Sequence, residues 1–197
     1  MRRHLLFCLA SAALAPVASA TVLDFEGLAD QAKIPDGYGG LHWSIDFQSV
    51  DAILLPFPSG YKNGLVSGRN VAYNANANDV SFWVASGTFA LKGLYLTGAW
   101  NNSLNVDITG YLGSSAVHTA TVVVSSNAPT QVLLNWSGVD KVEFHSYGGV
   151  SAGYEGSGTH FALDDLDVEV KGAPVPEPFT VALGLGGLAL AARRRRR

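Results

Sequence analysis

Between residues 21 and 173 the apolar positions recur every second residue in short runs, and Gly, Pro, Asn, Asp and Ser break one run from the next. A period of two is that of a strand with one buried face, and no stretch holds the 3.6-residue period of an amphipathic helix. The pattern predicts strands at 22–26, 42–50, 71–73, 80–84, 88–97, 104–111, 118–124, 130–134, 141–145 and 161–170. Phe89, Leu91 and Tyr95 fall on one face of their strand, and Val106 and Ile108 on one face of the next. The alternating Asn and Ala of residues 74–78 read as a loop. About ten short strands in one domain predict an all-β fold, an antiparallel two-sheet β-sandwich of the jelly-roll kind, with the inward faces packed on each other.

The two ends follow other patterns. Arg2 and Arg3 precede an apolar run over residues 5–17 that closes on Ala18-Ser19-Ala20, the layout of a secretory signal peptide covering residues 1–20. At the other end Pro174, Pro176 and Pro178 hold their neighbours extended and remove backbone donors, so a processing enzyme would find an open strand there. Residues 179–192 are apolar apart from Thr180, and Arg193 to Arg197 finish the chain. As a helix the apolar run would span about 21 Å, short of the roughly 30 Å of a bilayer core. Five consecutive arginines resist crossing and snorkel toward headgroups, which favours a C-terminal membrane helix with its end on the cytoplasmic side. The competing reading is a buried helix with a solvated arginine tail, although such a helix should be amphipathic. The expected organisation is therefore a signal peptide (1–20), a β-sandwich domain (21–173) and a C-terminal signal (174–197).

Removing the ends changes the charge. Of 13 Lys and Arg, two lie in the leader and five in the terminal arginine block, so residues 21–192 keep six against all 16 Asp and Glu. The remainder is strongly acidic, which argues against a nucleic-acid partner. The one cysteine is Cys8, inside the leader. Once the leader is cleaved, disulfides, thiolate metal sites and cysteine nucleophiles are excluded.

With its proline-spaced triplet Pro176-Glu177-Pro178, its apolar run and its arginine block, the tail resembles the PEP-CTERM sorting signal of Gram-negative bacteria. That resemblance implies processing by an exosortase after transient anchoring in the membrane, then delivery to the cell surface or extracellular matrix. Three features of the domain form a second resemblance. They are Leu23-Asp24-Phe25-Glu26-Gly27-Leu28 ahead of the segment 34–43, the stretch 89–100 ahead of Gly110-Tyr111, and the closing segment 161–168. As a set they are similar to the jelly-roll domains of PEP-CTERM proteins, which resemble carbohydrate-binding modules in outline.

In such modules the first and last strands lie side by side and hold a structural Ca²⁺. The resemblance implies Glu26 and Asp164 as metal ligands, with Asp24 and Asp165 as further candidates, since Asp24 and Glu26 share a face and Asp164 and Asp165 take opposite faces. Calcium needs roughly six to eight oxygens. The same acids also suit solvated strand ends or acceptors for backbone amides. Sugar binding would use an aromatic face beside amide or carboxylate groups. The candidates are Trp100 with Asn101 and Asn102, and Tyr147 and Tyr154 at the glycine-rich stretch 148–158. Core packing competes for each of them and is the reading adopted for Trp43, Trp83 and Trp136. Tyr38 is expected to pack the N-terminal loop through Trp43.

Catalytic signals are few. No His-Glu-x-x-His motif or phosphate-binding glycine loop is present. Neighbouring Asp164 and Asp165 should diverge on a strand, unlike a glycosidase pair. His145 and His160 flank one loop and offer a weak two-imidazole site. The expected function is a secreted, surface-sorted, non-catalytic binding or structural component associated with matrix or exopolysaccharide. Its rival is a secreted polysaccharide hydrolase.

Overall fold

All strand pairs are antiparallel, and residue alternation sets which face of each is buried. The computed structural model describes residues 19–170. Residues 1–18 of the predicted leader, and the tail with Pro176, Glu177, Pro178 and the arginines, lie outside the described residues. In chain order the elements are β1 (Ser19–Leu23), β2 (Ala32–Lys33), β3 (His42–Trp43), β4 (Phe47–Asp51), α1 (Gly60–Asn63), β5 (Asn70–Asn74), β6 (Val80–Trp83), β7 (Phe89–Gly98), β8 (Asn101–Leu112), β9 (Ser115–Val124), β10 (Thr130–Val139), β11 (Lys141–Ser151) and β12 (Phe161–Val170). Among the described residues no helix is long and apolar enough to cross a membrane.

Two sheets form a β-sandwich. The seven-stranded sheet runs β10-β7-β12-β5-β4-β2, with β1 also on β12; the five-stranded sheet runs β3-β6-β11-β8-β9. The first and last strands do lie side by side, with Leu23 opposite Leu166. Between the sheets Trp43, Phe47, Phe82, Phe144 and Phe161 are buried. Trp43 meets Phe47 edge-on at 5.1 Å, and Phe47 meets Phe144 at 6.0 Å, contacts worth about 0.5–1.5 kcal/mol each beyond their area. The Trp43 indole N–H donates to the Tyr38 carbonyl at 3.0 Å, and the Tyr38 ring stacks on Phe25 at 5.8 Å, so Tyr38 packs the N-terminal loop as expected.

Three sequence expectations change. Residues 42–50 are two strands, because the chain turns at Ser44, whose carbonyl accepts the Phe47 N–H at 3.1 Å, and passes from one sheet to the other. Trp83 is a half-buried residue on the outer face of the five-stranded sheet, stacked on His42 at 5.6 Å, while Trp43 and Trp136 do pack on the core. Tyr95 leaves the face of Phe89 and Leu91. A bulge at Lys92 shifts the register against β12, so Leu94 and Leu96 turn inward and Tyr95 outward.

Candidate functional site

The connection between β4 and β5, residues 52–69, folds as a flap over the outer face of the seven-stranded sheet, where α1 meets β7 and β12. Its outgoing limb carries α1, where the Gly60 N–H donates to the Ala99 carbonyl at 2.8 Å. A Cβ at Gly60 would collide with the Gly98 carbonyl, so only glycine allows this approach. Beneath the flap lies a second apolar cluster of Val50, Ala52, Tyr61, Val71, Ala99, Trp100 and Ala162, separate from the inter-sheet core. Trp100 is 8% exposed. Its ring meets Tyr61 edge-on at 5.2 Å and Phe57 at 5.9 Å, and Gly156 covers it so closely that a Cβ there has no room. Trp100 therefore has no open face for a sugar ring.

The returning limb is held by the acids that the sequence singled out. Asp164 Oδ2 accepts the N–H groups of Val66 at 2.8 Å and Ser67 at 3.1 Å, while its Oδ1 accepts that of Asp165 at 2.8 Å. Glu26 Oε1 accepts the N–H groups of Arg69 at 2.7 Å and Asn70 at 2.8 Å. Asp24 Oδ1 accepts the Glu26 N–H at 3.1 Å, and the Ser67 hydroxyl donates to Asp165 Oδ1 at 2.6 Å. Gly68, with φ of 54°, turns the limb against the Glu26 carboxyl, where a Cβ would not fit. Two carboxylates thus collect four amide donors of one five-residue stretch.

Asp164 and Asp165 do not diverge as a regular strand requires. A register shift between Asp164 and Asp167 marks a bulge, Asp165 takes a φ of 46°, and both carboxylates meet Ser67. Asp164 is buried, and burial pushes its carboxyl up to about 6 despite the opposing hydrogen bonds from Val66, Ser67 and Asp165. The Tyr38 hydroxyl, which accepts the Phe25 N–H at 2.9 Å, sits in the field of Asp24, Glu26 and Asp164; burial and then these charges raise its pKa.

This donor set does not fit a calcium ion. The carboxylate oxygens are aimed at N–H groups, whose positive ends would face any cation placed among them. Among the described residues no group of three or more His, Cys, Asp or Glu side chains converges. The arrangement fits an amide clamp. The expected result is that Ca²⁺ and a chelator leave the melting midpoint alike, and that Glu26→Ala lowers it equally with either. A calcium-dependent gain of about 2.7 kcal/mol at a hundredfold excess over Kd, lost in Glu26→Ala, would restore the metal.

Beyond the clamp the outer face is open. Bulges in β10 (between Leu133 and Trp136), β7 (at Lys92) and β12 (at Asp165) lie at one level across three neighbouring strands. Together they crease the sheet into a cleft of about 500 Å³. Asn135 and Asp165 hold φ of 52° and 46° there, a left-handed backbone that Asn and Asp tolerate better than other side chains. Gly93 lies at the centre, with space for a Cβ denied by the Val132 carbonyl 2.7 Å away. Tyr95, Leu133 and Val22 supply apolar surface; Gln131 and Asn135 supply amides; Lys92, Asp165 and Asp167 supply charge. Apart from Asp165, none of these residues carries a ligand signal in the sequence, because the bulges that turn them together leave no period-two signature. Asp165, proposed there as a metal ligand, instead joins the clamp to the cleft wall.

The remaining candidates scatter. Tyr154 accepts from the Asn63 side-chain amide at 3.0 Å and packs beside the Trp100 cluster, so it secures the flap. Tyr147 is 41% exposed on the opposite sheet and stacks on His145 at 5.4 Å. His145 hydrogen-bonds Asp79 at 2.7 Å, and His160 hydrogen-bonds the Ser157 carbonyl at 3.2 Å, with burial lowering its pKa. A Gly-x-Ser-x-Gly pentapeptide, missed in the sequence reading, spans residues 149–153. It closes an antiparallel strand rather than a strand–turn–helix, and Ser151 Oγ accepts the Gly153 N–H at 3.2 Å.

No known family's sequence profile matches the chain, and no curated protein matches it. Among solved structures it is similar to TmCBM61, solved in complex with beta-1,4-galactotriose, at 11% identity and a TM-score of 0.35, over 72% of this chain and 98% of that one. It is also similar to the K2 cleaved adhesin domain of Lys-gingipain, at 13% identity and a TM-score of 0.39, over 78% of this chain and 99% of that one. Both scores are low, and the β-sandwich is established by strand order and register.

Proposed function

We infer that the domain binds a polysaccharide chain non-catalytically in the creased cleft of the seven-stranded sheet. The observation that carries this reading is the cleft's course across β10, β7, β12 and β1. Four strands span about 14 Å between the outermost two. β10 ends its sheet, so the cleft runs out at an edge and admits a polymer rather than enclosing a small molecule. A phenol ring, two amides and carboxylates supply the stacking surface and hydroxyl partners that a sugar requires. Two carboxylates against one ammonium, in an acidic domain, favour neutral over polyanionic chains. Export, exosortase processing and a place at the cell surface or in a matrix belong to the same reading and are supported by the sequences of residues 1–20 and 174–197.

Affinity electrophoresis of the full chain in gels containing neutral or acidic soluble polysaccharides tests this. Retardation by a neutral polymer is expected, reduced about tenfold in affinity by Tyr95→Ala, equivalent to about 1.4 kcal/mol. Tyr147→Ala is expected to bind as the parent does. Absence of retardation in every gel, or equal loss in both variants, would remove the cleft from the account.

Asp165 and Asp167 facing one cleft favour a second reading, a polysaccharide hydrolase using this pair. Reducing ends released during the same incubations, and abolished by Asp167→Asn, would establish it.

A further inference from the structure

We propose that β9 is the docking edge for a second copy of this chain, paired antiparallel across a two-fold axis so that the two five-stranded sheets become one. Sheet edges carry unpaired backbone donors and acceptors, and proteins protect them by shortness, bulges, proline or charge. The other outermost strands have such protection. β2 and β3 are two residues long, β1 has five, and β10 carries two register shifts.

β9 has none of these along most of its length. It runs for ten residues at the end of its sheet, pairs among the described residues with β8 alone, and carries one bulge, at Val117 near its start, opposite the Gly110–Tyr111 step. Its sequence contains neither proline nor a formally charged residue, and between Asp107 and Asp140 the chain has no Asp, Glu, Lys or Arg at all. Val117, Thr119, Thr121 and Val123 stand exposed on its outer face.

Charge selects the partner. The domain is acidic elsewhere, so copies repel one another over most approaches and meet without like-charge contact along this flank. The strand is also self-complementary. With the axis at Ala120, in the regular part of the strand beyond that bulge, Thr119 comes opposite Thr121 of the partner subunit, and by symmetry Thr121 opposite Thr119 of the partner subunit. These are cross-strand pairs of the kind that stabilise antiparallel sheets, in an isologous contact that closes at two copies. The proposal is independent of the cleft, which lies on the other sheet.

Sedimentation of the full chain in non-ionic detergent over a range of concentrations tests it. The parent is expected to form a dimer, and Thr119→Lys/Val123→Lys is expected to raise the dimer Kd about tenfold or more with an unchanged melting midpoint. With Cys8 replaced by Ser, Thr119→Cys/Thr121→Cys is expected to cross-link between copies on oxidation. A parent that stays monomeric overturns the proposal. So does a dimer that survives both lysines, or one that Leu133→Lys on β10 dissociates instead.

Discussion

Trp100→Ala is expected to destabilise the domain by about 3–5 kcal/mol, the usual cost of removing a large buried aromatic. The indole is closed in by Tyr61, Phe57 and Gly156, and its loss leaves a cavity between the flap and the sheet. Urea unfolding followed by far-UV circular dichroism measures the cost, and polysaccharide affinity of the folded fraction gives the second readout. If Trp100 were a sugar platform, the substitution would abolish binding and leave the unfolding midpoint where it was. That result would mean the flap does not cover the ring. The expected result is the reverse, because the cleft lined by Tyr95 and Asn135 does not include Trp100.

Asp164→Ala is expected to cost about 2–4 kcal/mol, since it removes the buried carboxyl that accepts the N–H groups of Val66, Ser67 and Asp165. The loss should be local first. Amide hydrogen exchange at Val66 and Ser67 should accelerate far more than at the inter-sheet core, because the clamp holds only the returning limb of the flap. The pH dependence supplies a separate check. Burial raises the folded-state carboxyl from 3.8 to about 6, so the folded chain binds this proton before the unfolded one. The stability from that uptake is complete below about 3.8 and is lost as pH rises through about 6. The difference in stability between parent and variant should therefore widen on acidification from neutral pH. A difference that is constant, or that narrows, would mean the carboxyl is not buried as described.

Glu26 and Asp164 were legible in the sequence as acids that two neighbouring strands would bring together, and β1 does pair with β12. Their role was less legible. Acceptors for backbone amides and ligands for calcium have the same residue types, and the choice lies with the flap, whose irregular residues 64–70 carry no periodic signal. Ser67 in particular says nothing in sequence of the two carboxylates it meets.

The β-sandwich itself came from alternation, because a strand with one buried face must place apolar residues at every second position. The same rule located the inward row of β8 through Val106 and Ile108, and excluded long helices from the domain. Composition fixed the acidic balance and the lack of cysteine beyond Cys8. Tertiary structure alone decided where that alternation breaks. Bulges at Lys92, Asp165 and the Leu134–Asn135 step depend on how three strands twist against one another, and each shifts the register by one residue. They turned Tyr95 outward, brought Asp164 and Asp165 onto one hydroxyl-bearing loop, and opened the cleft. Burial of Trp100 was likewise decided by a flap that crosses from β4 to Ala99, a contact between residues far apart in the chain that no local pattern encodes.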